Sequence, residues 1–181
     1  MVLVDLDDVL WDLLTPWVSE INRIYKTEVD PQQITDWNMS LFFPKLSRNQ
    51  IYSPLFQGDF WKKVQPNLDS AWFINELLHN HHGVKVVTAS HYKNLEAKME
   101  RFLKLFPMLS WYDVVITSDK HSIVGDVLID DAPHNLEQGE YHGLLMHRPH
   151  NANYDADANG LIRVRNLQEA YKEIETLWPV T

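Results

Sequence analysis

The chain predicts an α/β fold: a mostly parallel sheet with helices on both faces and a small helical insertion after the first strand. Three observations carry this. Short apolar runs rich in β-branched residues recur along the 181 residues. Helical periodicities lie between them. About 75 residues separate the first run from the second, far more than one crossover helix needs.

The runs are Val2–Val4, Val84–Val87, Val114–Ile116, Val127–Ile129 and Leu144–Met146, with Ile162–Val164 as a sixth, shorter one. Each is too short for a helix and most are rich in β-branched residues, as in buried strands. Leu95, Met99, Phe102, Leu103 and Phe106 share a helical face that Pro107 ends. Leu167, Tyr171, Ile174 and Trp178 share another, and Asn166 with Glu169 has the spacing of a capping box. Strand–helix alternation of this kind gives a parallel sheet covered on both sides.

The long interval begins with helical spacing at Trp17, Ile21, Ile24 and Tyr25. Trp37, Phe42, Phe43, Phe56, Phe60 and Trp61 follow, interleaved with Pro31, Pro44, Pro54 and Pro66. The expected organisation is a helical cap over residues 15–66 and a core of residues 1–14 and 67–181, rejoined by a helix near Ser70–His79.

Composition narrows the function. Net charge is −9, from 25 acidic and 16 basic side chains, which argues against polymeric nucleic acid as a partner. A small anionic substrate stays compatible if local cations or a metal offset the field. There is no cysteine, which excludes a disulfide scaffold, a Cys-ligated zinc site, an iron–sulfur cluster and a thiol nucleophile. The opening Met1-Val2-Leu3-Val4-Asp5 has no basic region followed by a long apolar run, and no stretch approaches ~18 apolar residues. The expectation is a cytoplasmic protein without a membrane segment.

In an open parallel sheet, ligands bind beyond the carboxyl ends of the strands. Four such ends carry polar groups here: Asp5, Asp7 and Asp8; Thr88, Ala89 and Ser90; Thr117, Ser118, Asp119 and Lys120; Asp130 and Asp131. Taken singly, each reads as a helix cap, a turn or a solvated lysine. Taken together they crowd five carboxylates into one cleft, which is costly unless a cation sits among them. All-oxygen ligands suit Mg²⁺, which keeps water and phosphate oxygens in its shell. Lys120 can neutralise remaining phosphate charge, and Thr88 can donate to phosphoryl oxygens. One aspartate is then left to attack phosphorus. Another, two residues on, can protonate the leaving alkoxide and later activate water.

These residues resemble the haloacid dehalogenase (HAD) superfamily. Val2-Leu3-Val4-Asp5-Leu6-Asp7-Asp8-Val9 is similar to its first motif, Val86-Val87-Thr88 to its second, Lys120 to its third and Leu128-Ile129-Asp130-Asp131 to its fourth. The motifs span the whole core in order. Thr117-Ser118-Asp119-Lys120 and Gly125-Asp126-Val127-Leu128-Ile129-Asp130-Asp131 resemble the 5′(3′)-deoxyribonucleotidase branch, which also places its lysine ten residues before the paired aspartates and inserts a helical cap after the first motif.

The resemblance implies a Rossmann-like HAD core and a Mg²⁺-dependent phosphatase. It makes Asp5 the nucleophile and a metal ligand. Asp7 becomes the general acid/base and offers its backbone carbonyl to the metal. Thr88 and Lys120 hold phosphate, within a substrate-facing set that includes Ala89 and Ser90. Asp130 ligates the metal and Asp131 supports it. Two departures stand out. Asp8 occupies a position where many members of the branch have glycine, which bears on metal affinity. Ala89 replaces a serine of some relatives, which removes one phosphate donor. Asp7 itself argues for phosphoryl transfer, because the dehalogenases of the superfamily lack it.

The cap has more rings than a domain of ~50 residues needs for its own core. Rings facing the cleft would stack a nucleobase, so Phe60 and Trp61, with Trp37 after them, are the expected base contacts. Asn80-His81-His82-Gly83 reads as a solvated turn. His91 follows the second motif on the catalytic edge, and Arg148 reads as solvent-facing.

The expected function is hydrolysis of deoxyribonucleoside monophosphates through an aspartyl-phosphate. Two alternatives stand beside it: a HAD phosphatase for another small phosphate ester, and a non-catalytic nucleotide-binding module. The cap surface could support a homodimer.

Overall fold

Each of the six predicted runs becomes a strand. The computed structural model describes residues 1–178. In chain order its main elements are β1 (Val2–Val4), β2 (Trp11–Asp12), α1 (Leu14–Tyr25), α2 (Arg48–Tyr52), α3 (Gly58–Trp61), β3 (Gln65–Pro66), α4 (Ser70–His79), β4 (Val84–Thr88), α5 (Leu95–Leu105), β5 (Val114–Ile116), β6 (Val127–Asp130), α6 (Pro133–Leu136), β7 (His142–Met146), β8 (Ile162–Val164) and α7 (Leu167–Leu177). Short 3₁₀ turns link several of them. Among the described residues no helix is long and apolar enough to cross a membrane.

Six strands form one sheet in the order β5-β4-β1-β6-β7-β8, with every pairing parallel. The chain builds outward from β1 to β4 and β5, then crosses to β6 and builds the other way. The order therefore reverses between β1 and β6, where a doubly wound sheet opens a crevice at its carboxyl edge. Register sets what stands there. Val4 pairs with Ile129, so Asp5 and Asp130 lie side by side, one residue further on. The Asp5 amide continues the ladder by donating to the Ile129 carbonyl at 2.8 Å.

The excursion after β1 is closed at its base by an antiparallel ribbon, Trp11 opposite Pro66 and Asp12 opposite Gln65. Asp8 makes the entry turn at φ 57°, a left-handed conformation that aspartate tolerates better than most residues. Its Oδ1 accepts from the Leu13 and Leu14 amides at 3.0 Å each. Two orphan donors at the start of α1 are satisfied in this way. Asp8 therefore serves the backbone, making the turn as glycine would and capping the helix as well.

The cap rings pack differently from expectation. Phe43, Phe60 and Trp61 are 1, 2 and 2% exposed. They join Ile34, Ile51 and Leu55 in one apolar cluster continuous with Val4, Val86 and Ile129 of the sheet. The surplus of rings welds cap to core, because the cap is too thin to bury them alone. The C-terminal helix also corrects its expected capping box. Asn166 Oδ1 does accept from the Glu169 amide at 2.8 Å, but Glu169 Oε2 accepts from the amide of Arg165, one residue before the cap.

Candidate active site

The centre of the crevice is built by β1, β6 and the loop after β5. Asp5, Asp130 and Asp131 are buried, and an oxygen from each lies within 4.8 Å of the others. Lys120 sits on a short 3₁₀ turn, 4% exposed, and donates to Asp5 Oδ1 and to Asp130 Oδ2 at 2.6 Å each. Burial pushes the Asp5 carboxyl well above its ordinary value, and the negative charges of Asp130, Asp131 and Asp7 add to the rise while Lys120 opposes it. Burial likewise raises Asp131, with Asp130 next to it. Burial pulls Lys120 down, but Asp5 and Asp130 outweigh it and hold the ammonium above its usual range. With all three ionised, the buried carboxylates exceed the one ammonium by two negative charges, an excess that burial penalises until a cation offsets it. A divalent cation fits that donor set in charge and in ligand hardness.

Further residues fix these carboxylates, and sequence reasoning missed them. The Ala132 amide donates to Asp130 Oδ1 at 2.9 Å, and Asn135 Nδ2 donates to both Asp130 oxygens at 3.1 Å. His150 Nε2 lies 2.9 Å from Asp131 Oδ2, and Asn151 Nδ2 donates to the Asp131 carbonyl at 2.7 Å. Burial lowers the His150 pKa to about 4, against the opposing pull of Asp8. The available signal was that His147-Arg148-Pro149-His150-Asn151 follows a strand end on this edge. Arg148 is half-buried and donates to the His147 carbonyl at 2.8 Å. Asp8 lies nearby, and burial together with Asp131 raises its pKa to about 7.

The second motif is placed less simply. Thr88 is fully buried, and its Oγ1 accepts from Lys98 Nζ at 2.9 Å, so it lines neither cavity. Ala89 is exposed at the crevice, and Ser90 Oγ donates to Asn94 Oδ1 at 2.8 Å. Asp7 turns its carboxylate from the trio: Trp11 Nε1 donates to Oδ1 at 2.8 Å and Lys98 Nζ to Oδ2 at 2.5 Å.

Two adjoining cavities lie between cap and core. One, of about 450 Å³, holds Asp5, Asp7, Lys120, Asp130 and Asp131 on its floor, under an apolar wall that includes Trp17, Ile34, Trp37 and Met39. The other, of about 750 Å³, is lined by Asp7, Trp61, Ser90, His91, Lys98 and neighbours. Trp37 is 47% exposed and packs against His150 with ring centroids 4.2 Å apart and planes tilted by 53°. Trp61 lines only the second cavity, with its Nε1 donating to the Leu55 carbonyl at 3.1 Å. Phe60 lines neither and packs edge-on against Trp61 at 5.4 Å. Of the three expected rings, Phe60 lies in the core, Trp61 on the wall of the second cavity and Trp37, half exposed, on the wall of the first. His91 packs against Phe56 at 5.0 Å and stays exposed at the second cavity. His81, in the Asn80–Gly83 turn, is exposed at φ 59°.

Known proteins resemble this chain in sequence and in fold. The family model described as 5′ nucleotidase, deoxy (Pyrimidine), cytosolic type C protein matches residues 1–177. The 5′(3′)-deoxyribonucleotidase of Bacillus subtilis (strain 168) is 31% identical over 175 residues, covering 96% of this chain and 98% of that protein. The 5′(3′)-deoxyribonucleotidase of Clostridium acetobutylicum is 31% identical over 176 residues, covering 96 and 94%. Among solved structures, a HAD family hydrolase from Deinococcus radiodurans with bound phosphate and sodium superposes with a TM-score of 0.66 at 14% identity, over 97% of this chain and 94% of that one. A HAD hydrolase from Bacillus subtilis bound to magnesium superposes at 0.59 and 12% identity, over 99 and 98%. At those identities the two structures speak for the fold.

Proposed function

This chain belongs to the deoxyribonucleotidase family of HAD-type 5′-nucleotidases, phosphoric monoester hydrolases, and from that premise we propose that it removes phosphate from deoxyribonucleoside monophosphates with Mg²⁺ and an aspartyl-phosphate on Asp5. The observation that carries the reading is the strand register that sets Asp5 beside Asp130 with Lys120 bridging them.

Asp5, Asp130 and Asp131 would hold the metal, together with the backbone carbonyl of Asp7. When bound, Mg²⁺ supplies positive charge that draws the phosphate in and offsets charge developing on it. The chain's own groups do the rest. Lys120 reaches the phosphoryl oxygens from the crevice floor. An Asp5 oxygen attacks phosphorus as the bond to the nucleoside oxygen breaks, and Asp7 gives that oxygen its proton. Asp7 then takes a proton from water as the water oxygen attacks phosphorus, which releases phosphate and restores the Asp5 carboxylate. Trp37 and the apolar wall around it receive the base, and the cap shields the charges below from solvent.

The reading includes a cytoplasmic location and a free mononucleotide as partner. Its test is phosphate release from a panel of deoxyribo- and ribonucleoside monophosphates, sugar phosphates and glycolate phosphate, with and without Mg²⁺. Mg²⁺-dependent release from deoxyribonucleotides is expected. Release from a sugar or glycolate phosphate alone refutes the substrate class.

A further inference from the structure

Asp7 has each carboxylate oxygen taken by a different donor, and neither donor belongs to the four motifs. Trp11 supplies one from the ribbon at the base of the cap. Lys98 supplies the other from the buried face of α5, where its side chain is 2% exposed. The remaining Lys98 donors go to Thr88 Oγ1 at 2.9 Å and to the Ala89 carbonyl at 3.0 Å, so all three are used. Trp61 closes the box. Its ring lies 5.6 Å from Lys98 Nζ and 5.8 Å from the Trp11 ring. Arg101, one turn further along α5, donates twice to the Val64 carbonyl at 3.0 and 2.7 Å, which ties α5 to the end of the cap beside Trp61.

A buried lysine is costly unless its ammonium is fully paired. Two of its bonds would be enough to tie α5 to the end of β4. The third reaches across to the first motif, to Asp7, a residue that lines both cavities. We propose that Lys98 is a positioning residue for the hydrolysis: with Trp11 beside it and Trp61 over it, it holds the Asp7 carboxylate in one orientation at the crevice. The inference rests on the reading of Asp7 as acid/base. It also gives Trp61 a part in aligning the proton donor in place of stacking a base. Fixing such a group removes an orientational search from the reaction step.

The experiment compares two esters. A nucleotide leaves as an alkoxide that needs a proton, whereas p-nitrophenyl phosphate leaves as a stable phenolate. Lys98→Met, with Mg²⁺ present, is expected to lower kcat on a deoxynucleotide by about 100-fold, the lower end of the range for acid–base catalysis. KM and the calorimetric affinity for Mg²⁺ stay as in the parent. The first turnover of p-nitrophenyl phosphate, read by rapid mixing, changes little, and Lys98→Arg recovers part of the nucleotide rate. Asp7→Asn shows the same contrast more strongly. Trp11→Phe, which removes only the Oδ1 donor, shows it more weakly and gives the answer even if Lys98→Met does not fold. If Asp7→Asn slows both esters equally, the acid/base reading fails and the inference falls with it. If Asp7→Asn discriminates but Lys98→Met and Trp11→Phe slow both esters equally or change only KM, the box is a structural tie and the inference alone is overturned.

Discussion

At the crevice edge, backbone geometry places the working side chains; in the cap, packing does. Asp5 and Asp130 follow paired residues of neighbouring parallel strands, so the sheet's own hydrogen bonds set their separation. Phe60 and Trp61 sit on a four-residue helix, and Trp37 lies between two 3₁₀ turns, where no ladder fixes direction. Phe60 and Trp61 are almost fully buried, whereas Trp37 stays half exposed. The difference implies that side chains at the edge can be changed at a cost in chemistry alone, while most rings of the cap can be changed only at a cost in stability.

The largest expected effect tests the edge. Asp5→Asn preserves shape and removes the nucleophile, so turnover should fall by at least about 10⁴-fold, as when other enzymes lose theirs. Circular dichroism and the thermal midpoint should stay near the parent's. A variant that unfolds would show that the edge is also structural; a variant that still turns over would break the account of Asp5.

The next prediction sets two rings of the cap against each other. Phe60→Ala should destabilise the protein by about 3–5 kcal/mol, the usual cost of deleting a buried aromatic, with KM unchanged in what remains folded. Trp37→Ala should leave denaturant stability within about 0.5 kcal/mol. It should raise KM for a nucleotide about tenfold, in keeping with a stacking contribution of ~1–3 kcal/mol. Equal effects on stability and KM at both positions would erase the distinction between core ring and ligand ring.

A smaller effect belongs to the support of the edge. Asn135→Ala removes the donors shared by the two Asp130 oxygens. Mg²⁺ affinity measured by calorimetry should weaken about 10–100-fold, the usual consequence of losing a partner behind a metal ligand. An unchanged affinity would mean that Lys120 and the Ala132 amide alone orient Asp130.

The smallest lies inside the cap. Glu20 accepts from Arg23 Nη2 at 2.6 Å and from Lys63 Nζ at 2.5 Å, across the ends of the insertion. The Arg23 hydrogen bond, opposed by burial and helped by Lys63, lowers its pKa from 4.5 to about 2. A folded-state pKa below the unfolded one adds stability that is complete above about 4.5 and is lost as pH falls toward about 2. Glu20→Gln should abolish that part of the acid loss, at most about 1 kcal/mol because both cationic partners are largely exposed to solvent, in thermal midpoints measured against pH.

What could be read from the sequence follows the same division. Strand positions and the order of motifs were legible because short apolar runs, most of them rich in β-branched residues, have few other uses and because parallel strands send their carboxyl ends to one side. Asp5, Lys120, Asp130 and Asp131 converge for that reason alone. Phe60 could not be told from Trp37, since a ring's direction depends on how short helices abut the core. Lys98 was hidden for another reason. It falls one residue before Met99 on an amphipathic helix, and a lysine in such a pattern reads as solvent-facing until the fold buries it. Asn135 and His150 act through Asp130 and Asp131 and carry no spacing signature of their own.

The most direct measurement is a crystal structure grown with Mg²⁺ and beryllium fluoride, a mimic of a phosphoryl group on a carboxylate. The account predicts the fluoride bonded to an Asp5 oxygen, one metal ion between Asp5 and Asp130, and Lys120 against the fluorines. Beryllium fluoride on another residue, or a metal that touches Asp130 without Asp5, would contradict it.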